Sequence, residues 1–548
     1  MSLFSKVVSI VQKKHAFNLS FENKLTAEFG QLVPVMCKEV LPGDTWQVSH
    51  QILCRTAPML APVLSSIDIY LHTFFVPNRL LCSDWEDIIT GGLDGTLQYT
   101  VPSATLANFG AITDGSLADF LGMPTLSATD IASVSTGIGA FNVNLLPFLA
   151  YAKVYSDWYK DELLDSFEFE PVAQGLTSDS SLISALKTLR VRSWKKDYFT
   201  SARPNTQLGA EILVPASGTI TADGPFRFGF DTQISSNAYR YGVRSSTEED
   251  LGSGSVPRYA YNTALQSSDN SAINSAAYAD GLSIDDVGIS VNDLRRSVRV
   301  QEWQEKNMRG GNRYIENIYH HFGVKSSDAR LQRSEYICGS KHPVLVSEVA
   351  QTSSTDAAIQ SGSTGTPQGN LSGKAIAVGN GGKKRFFAEE HGYIITIMSV
   401  MPKTSYFQGM PRMFWRQDKF DFAWPEFGNL GEQEVYKGEL FFKQAGYDGT
   451  FGYQSRYADM KMSINEIHSA FRSSMAYWHT ARMFDSAPTL SNQFVQLRNG
   501  GAGVGNESSQ PMNRIFATLP SGYGHFYCQI YNDLKVVRVL PKYGIPTL

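Results

Sequence analysis

Cysteine is scarce in this chain. Five occur in 548 residues (Cys37, Cys54, Cys82, Cys338 and Cys528), far apart and odd in number. No two stand in a CxxC spacing, which excludes a zinc ribbon and a dithiol redox motif. Buried free thiols in a reducing cytosol are the expectation. Charge is thin too: Asp, Glu, Lys and Arg make up 18% and the net charge is −4. A protein dedicated to wrapping nucleic acid would be clearly basic, so only a local basic patch is open to this one. Long apolar runs are also missing. Tyr393 to Met401 is the most apolar stretch, well short of the ~20 residues a membrane-crossing helix needs. Residues Met1 to Lys14 place their apolar side chains before their lysines, the reverse of a secretory signal. The chain is therefore expected to be made and kept in the cytoplasm unless it leaves by lysis.

Catalytic signatures are absent as well. The ten histidines form no HxH, HxxxH or HExxH, which removes the cupin and metalloprotease patterns. No GxSxG elbow and no GxxxxGK[ST] phosphate cradle occurs. The cluster Gly500, Gly501, Gly503, Gly505 has no lysine or helix after it and reads as a flexible loop. No metal site and no cofactor is called for. His320-His321 is the one adjacent pair, but neighbouring helical residues point about 100° apart, so structural roles are expected for both. Asp84, Glu86 and Asp87 before Gly91-Gly92 read as a solvated helix start rather than a cation site.

What the chain has in abundance is apolar and aromatic residues, 42% and 12%, enough for a large core with rings left over for interfaces. Trp46 to Cys54 and Ile67 to Val76 read as strands. In the second, Ile67, Ile69, Leu71, Thr73 and Phe75 share one face by two-residue alternation. Further strands are expected at Val344 to Val349, Tyr393 to Val400, Glu434 to Phe442 and Leu534 to Leu540. The connections between them run to tens of residues, against a usual median of about 4–6. That points to a β-scaffold with elaborate loops. Helices are expected at Val291 to Val300, at Tyr314 to Phe322 with Gly323 as its stop, at Phe148 to Leu164 and at Met462 to Phe471. Asn205 to Asp286, Gln351 to Gly382 and Asn499 to Gln510, rich in small and polar residues, read as exposed loops.

Three basic clusters stand beside aromatics: Lys13-Lys14 near Phe17; Arg190, Arg192, Lys195 and Lys196 near Trp194 and Tyr198; and Lys383-Lys384-Arg385 before Phe386-Phe387. Phosphates attract such charges and unpaired bases stack on such rings, so these are candidate single-stranded DNA contacts. The competing reading, which the composition favours, is an ordinary charged surface or an ion pair across a subunit contact. Met410, Met413, Phe414 and Trp415, with Phe420 and Trp424 in FDFAWPEFG, are candidate subunit contacts unless they pack inside their own chain.

Several long blocks resemble one known family. They are FNLSFENKLTAEFGQLVPVMCKEVLPGDTWQV (Phe17 to Val48), RTAPMLAPVLSSIDIYLHTFFVPNRLL (Arg55 to Leu81), DWEDIITGG, the segment RGGNRYIENIYHHFGVKSSDARLQRSEYICGSKHPVLVSEVAQTSS (Arg309 to Ser354), PQGNLSGKA, EEHGYIITIMSVMPKTSYFQG and the terminal KVVRVLPKYGIPTL. In order and content they resemble the major capsid proteins of microviruses, in particular the gokushovirus branch. The resemblance implies a mainly β fold, an eight-stranded antiparallel jelly roll with long inter-strand insertions that contain short helices. One such domain would span residues 1–548. It also implies a T=1 icosahedral shell of identical subunits around a circular single-stranded DNA genome, assembled in the host cytoplasm. Residues 205–286, just before VNDLRRSVRVQEWQEK, correspond to a variable insertion that would form a three-fold protrusion meeting a host surface receptor. A small DNA-binding protein, an internal scaffolding protein and a pilot protein are the further partners implied. The competing reading of the residues is a carbohydrate-binding, lectin-like β-sandwich, which would want a secretion signal and disulfides or a calcium loop.

Overall fold

The computed structural model describes residues 13–92, 96–137, 141–209, 217–230, 241–242, 277–288, 291–310, 313–350, 352, 369–498, 512–518 and 524–543. The chain divides into two compact units, Met1–Thr206 with Asn307–Leu548, and Gln207–Lys306.

Eight strands build the first unit: β1 (Phe21–Ala27), β2 (Val33–Val40), β3 (Thr45–Thr56), β4 (Ile67–Pro77), β5 (Glu335–Ala350), β6 (Leu371–Asn380), β7 (Gly392–Pro402) and β8 (Phe526–Arg538). They pair antiparallel throughout, in the orders β1-β8-β3-β6 and β2-β7-β4-β5. Successive strands mostly change sheet, which is the doubled Greek key of a jelly roll. Strand β5 joins the two sheets along one edge: Glu335–Val344 pairs with β4 and Leu345–Ala350 with β6. Two short strands lengthen the first sheet, His15–Asn18 against the end of β8 and Lys384–Phe387 against the start of β3. The jelly roll expected from the resemblance is therefore the fold observed.

Side-chain parity explains the strand sequences. Ile67, Ile69, Leu71, Thr73 and Phe75 point between the sheets and are all buried, as their alternation predicts. The other face of β4 and β7, with Phe74, Val76, Ile395 and Ile397, packs beneath a helical layer that includes α1 (Leu146–Val154) and α2 (Ser180–Lys187). Strand β7 is thus buried along its whole length, which is why its sequence is a continuous apolar run and not an alternation. Strand β8 borders solvent on one side and alternates strictly. Across the sandwich runs one polar chain: His50 Nδ1 meets Asn532 Oδ1 at 2.8 Å and Nε2 meets Thr73 Oγ1 at 3.0 Å, and Thr73 meets Thr396 at 2.9 Å. Burial lowers the His50 pKa, and hydrogen bonds satisfy its ring and the two threonine hydroxyls, while Asn532 Nδ2 has no partner among the described residues. All five cysteines are free thiols, four of them buried.

Some expectations are corrected. Within Gln351 to Gly382, expected to be an exposed loop, Leu371–Asn380 is β6. Its small residues are packing constraints: a Cβ on Gly373 would sit 2.4 Å from the Ala61 carbonyl oxygen. Residues 353–368 of that stretch, and all of 499–510, lie outside the described residues. Met462 to Phe471 is not a helix. One turn at Ala458–Lys461 and a 3-10 turn at Ser469–Arg472 flank an extended stretch, where Asn465 accepts from Tyr406 N and donates to the Thr404 carbonyl. Glu434 to Phe442 is strand only over Glu432–Tyr436, then turns helical at Lys437–Leu440.

In the second unit, Ser217–Phe230, Tyr241–Gly242 and Ala277–Gly288 form a three-stranded antiparallel sheet, so the stretch expected to be all loop carries strands. Helix α3 (Val291–Gly310) is longer than the Val291 to Val300 expected. Helix α4 (Tyr314–Phe322) ends on Gly323 at φ 69°, as its sequence predicts. The two chain ends flanking the second unit are fixed within the first. Arg203 Nη2 donates to the Arg309 carbonyl at 2.9 Å, and Arg203 and Arg309 both reach the buried Glu432 carboxylate, at 3.2 and 2.5 Å.

Candidate assembly and nucleic-acid surfaces

The first sheet's extra strands carry two of the three basic clusters, on either side of the β8-β3 pair. The strand His15–Asn18 follows Lys13 and Lys14 directly, and Lys384–Phe387 contains most of the other cluster. The Lys14 ammonium donates to the Gly43 carbonyl at 2.8 Å and sits 5.6 Å from the Phe387 ring centroid. Lys383, Lys384 and Arg385 are exposed, and Lys383 pairs with Asp533 at 3.3 Å. Phe386 turns inward onto Phe75, whereas Phe387 stays exposed.

The third cluster is dispersed. Trp194 and Tyr198, its sequence-adjacent rings, are buried in the core and offer no stacking surface. Arg190 lies over Phe167 at 4.0 Å and donates to the Ala185 carbonyl. Lys195 and Lys196 are exposed, and Lys196 pairs with Asp161. Arg192 lies over Tyr70 at 4.6 Å, with Nη1 donating to Ser399 Oγ at 2.8 Å. Burial lowers its pKa, and it forms no ion pair among the described residues. His320 and His321, on α4, hydrogen-bond to the Gly310 carbonyl and to Asn307. Trp85–Thr90 forms a short helix closed by Gly91, so Asp84, Glu86 and Asp87 sit at a helix start.

The candidate subunit contacts divide into two groups. Trp415 packs inside its own chain, stacked on Tyr436 at 5.2 Å with Nε1 donating to the Met410 carbonyl, and Met410 is half-buried. Met413, Phe414, Phe420 and Trp424 are exposed, Phe414 by 64%. They lie on an arm, residues 411–430, of which almost every residue is at the surface. Sequence reasoning missed a second patch. Tyr314 and Phe322, aligned on α4 by their spacing, are not core residues but are 73% and 77% exposed. Leu345 and Val378, exposed on β5 and β6, form a third site of uncovered apolar surface.

A jelly roll whose rim carries so many uncovered rings suits a shell subunit, and comparison with known proteins bears this out. Residues 5–548 match the model of a family described as Capsid protein (F protein). The chain belongs to the phage capsid (F protein) family. Its relatives include a "Capsid protein VP1" of Chlamydia phage 1, 29% identical, with 100% of this chain and 97% of that one aligned. Capsid protein VP1 of Bdellovibrio phage phiMH2K is 30% identical over 99% and 97% of the two chains. That of Spiroplasma virus 4 is 30% identical over 85% and 84%. The similarity to microvirus capsid proteins seen in the sequence blocks thus holds along the whole chain. No helix among the described residues is long and apolar enough to cross a membrane.

Proposed function

We propose that this capsid protein is the major coat subunit of a small phage, and that it acts by assembling rather than by catalysing. Copies of the chain close into a T=1 icosahedral shell, inside the host cell, around a circular single-stranded DNA genome. The observation that carries the reading is the exposed aromatic arm, residues 411–430, on a sandwich of the capsid family. A lone soluble chain gains nothing from leaving Phe414, Phe420 and Trp424 in water, whereas repeated subunit contacts of about 1,600 Å² would bury them. Met413 belongs to the same contacts. Lys13 and Lys14, and Lys383, Lys384 and Arg385, on either side of the β8-β3 pair, face the genome. Lys195 and Lys196, the exposed members of the dispersed cluster, supply further charge, while Arg190 and Arg192 lie over rings of their own chain. The net charge of −4 leaves most phosphates to a small basic DNA-binding protein. An internal scaffolding protein and a pilot protein complete the particle. The insertion 205–286 stands out as a three-fold protrusion and meets the host receptor.

Expression of the full chain, followed by electron microscopy and extraction of nuclease-protected nucleic acid, tests this. Uniform small spheres holding single-stranded DNA are expected. A stable monomer that never forms spheres under any ionic condition would overturn the reading. Replacing residues 207–306 by a short Gly-Ser linker should leave spheres intact and abolish host-cell attachment; attachment that persists would remove the insertion from that role.

A further inference from the structure

On the helical-layer side of the sheet β2-β7-β4-β5, a cavity of about 460 Å³ opens between β4, β5 and the chain segments around Trp158 and Arg192. This volume lies within the range of pockets that hold small ligands. Its apolar wall is a continuous set of rings. Phe74 lies 5.4 Å from Trp158 and 5.6 Å from Tyr336, and Trp158 and Tyr336 are 5.7 Å apart. Tyr336 leaves nearly half its surface, 44%, in solvent. Trp158 is held in place by Nε1 donating to Ser334 Oγ at 3.0 Å, and His72 Nδ1 meets the Tyr159 hydroxyl at 2.8 Å.

The same cavity is lined by four cations, Lys160, Arg192, Lys196 and Arg313, and by one carboxylate, Asp161. Asp161 is taken by Lys196, and Arg313 is paired with Glu162 just beyond the cavity. Lys160 and Arg192 form no ion pair among the described residues. Arg192 is the telling group. Its guanidinium is largely buried, and its contacts are a hydroxyl and the faces of Tyr70 and Tyr159. A desolvated cation without a counter-charge is costly, and the rings recover only part of that cost. An anion arriving in the cavity would supply the rest.

Flat rings exposed beside unneutralised cations match one kind of ligand, a planar base joined to a phosphate. We propose that the cavity receives one nucleotide of a single-stranded nucleic acid, its base stacked on Tyr336 beside Trp158 and its phosphate set against Arg192 and Lys160. The inference rests on the coat-protein reading and deepens it: the genome is gripped at a built pocket as well as by diffuse surface charge.

The test uses the unassembled full-length chain and a fluorescein-labelled dT10 oligonucleotide, with anisotropy read between 50 and 200 mM salt. Tyr336→Ala should weaken binding roughly tenfold, as loss of one stacked base does, while Tyr336→Phe keeps it. Lys160→Gln should reduce the salt slope by about 0.7, the share of one phosphate on a single strand. Unchanged melting temperatures confirm that the variants fold. No binding by the parent chain, equal binding by Tyr336→Ala, or displacement by a glutamate decamer as effective as by unlabelled dT10 would each overturn the proposal. The last result would indicate an acidic peptide site. Electron microscopy of the same preparations reads shell formation separately, so failure of the pocket is distinguishable from failure of the coat-protein reading.

Discussion

Replacing Phe414 by serine should leave the subunit folded and disable its assembly. Phe414 lies in the 3-10 turn Arg412–Trp415, with its amide donating to the Pro411 carbonyl at 3.0 Å. The turn is held to the body by Trp415, which packs among Tyr436, Phe442 and Tyr447. Phe414 itself makes no ring contact among the described residues and is 64% exposed. An aromatic side chain offers ~200 Å², so covering the exposed part at a subunit contact removes roughly 130 Å² from water. At about 25 cal/mol/Å² this is worth ~3 kcal/mol per copy, or about a hundredfold in pairwise association. The shell repeats the contact at every subunit, so the protein concentration needed for assembly should rise by a similar factor. Sucrose-gradient sedimentation and electron microscopy measure the particle yield, and thermal melting of the unassembled chain measures folding. The expected pattern is an unchanged melt with no spheres at concentrations where the parent assembles fully. Spheres at parental yield would refute the reasoning, because the exposed ring would then contribute nothing to a contact.

Three further outcomes follow from the geometry. Burial, aided by the Arg192 charge, pushes the His72 pKa down to about 4 from 6.5, so the folded chain favours the neutral ring. Below pH ~6.5 the unfolded chain takes up this proton first, and stability should fall by up to ~1.4 kcal/mol per pH unit until about pH 4, then level off. Urea midpoints at pH 7.5 and pH 5 check this; a His72→Asn variant with the same pH dependence as the parent would refute it. Gly30→Ala should cost at least ~2 kcal/mol, since Gly30 sits at φ +75° and a Cβ there would lie 1.9 Å from the Leu497 carbonyl oxygen; an unchanged melting temperature would contradict the described backbone. Reversing Lys383, Lys384 and Arg385 to glutamate should lower packaged DNA, read as the 260/280 nm absorbance ratio of purified particles, without altering the subunit melt. The exposed Lys383–Asp533 pair it removes is worth little, and full genome content would remove these residues from genome contact.

The strands most legible in the sequence are those whose burial leaves a pattern. β4 announced its inner face by alternation, and β7 by an unbroken apolar run. β6 did not, because close backbone approach at Gly373 and small inner positions such as Ala375 and Ala377 give it the composition of a loop. Met462 to Phe471 misled in the opposite direction, since tertiary hydrogen bonds at Asn465 override a helical spacing. The basic clusters were visible as charge, but their aromatic partners were not. Trp194 and Tyr198 are neighbours in sequence and lie in the core, whereas the rings that meet Arg192 are Tyr70 and Tyr159. The cavity that Arg192 and Tyr159 border draws on five separate chain segments, and no local pattern encodes such a meeting. Tyr314, Ile318 and Phe322 share one face of α4 by their four-residue spacing, but periodicity cannot say whether a face meets the core or solvent.

The Glu432 carboxylate grips the chain on both sides of the second unit, through Arg203 before it and Arg309 after it. The sandwich is thereby insulated from whatever is strung between those two anchor points. A tug on the intervening segment would be absorbed at this clasp before it reached a strand, and a segment of different length or sequence could be spliced in without disturbing strand register. A lineage built this way is free to exchange what lies between the two anchors while the strands keep their pairing.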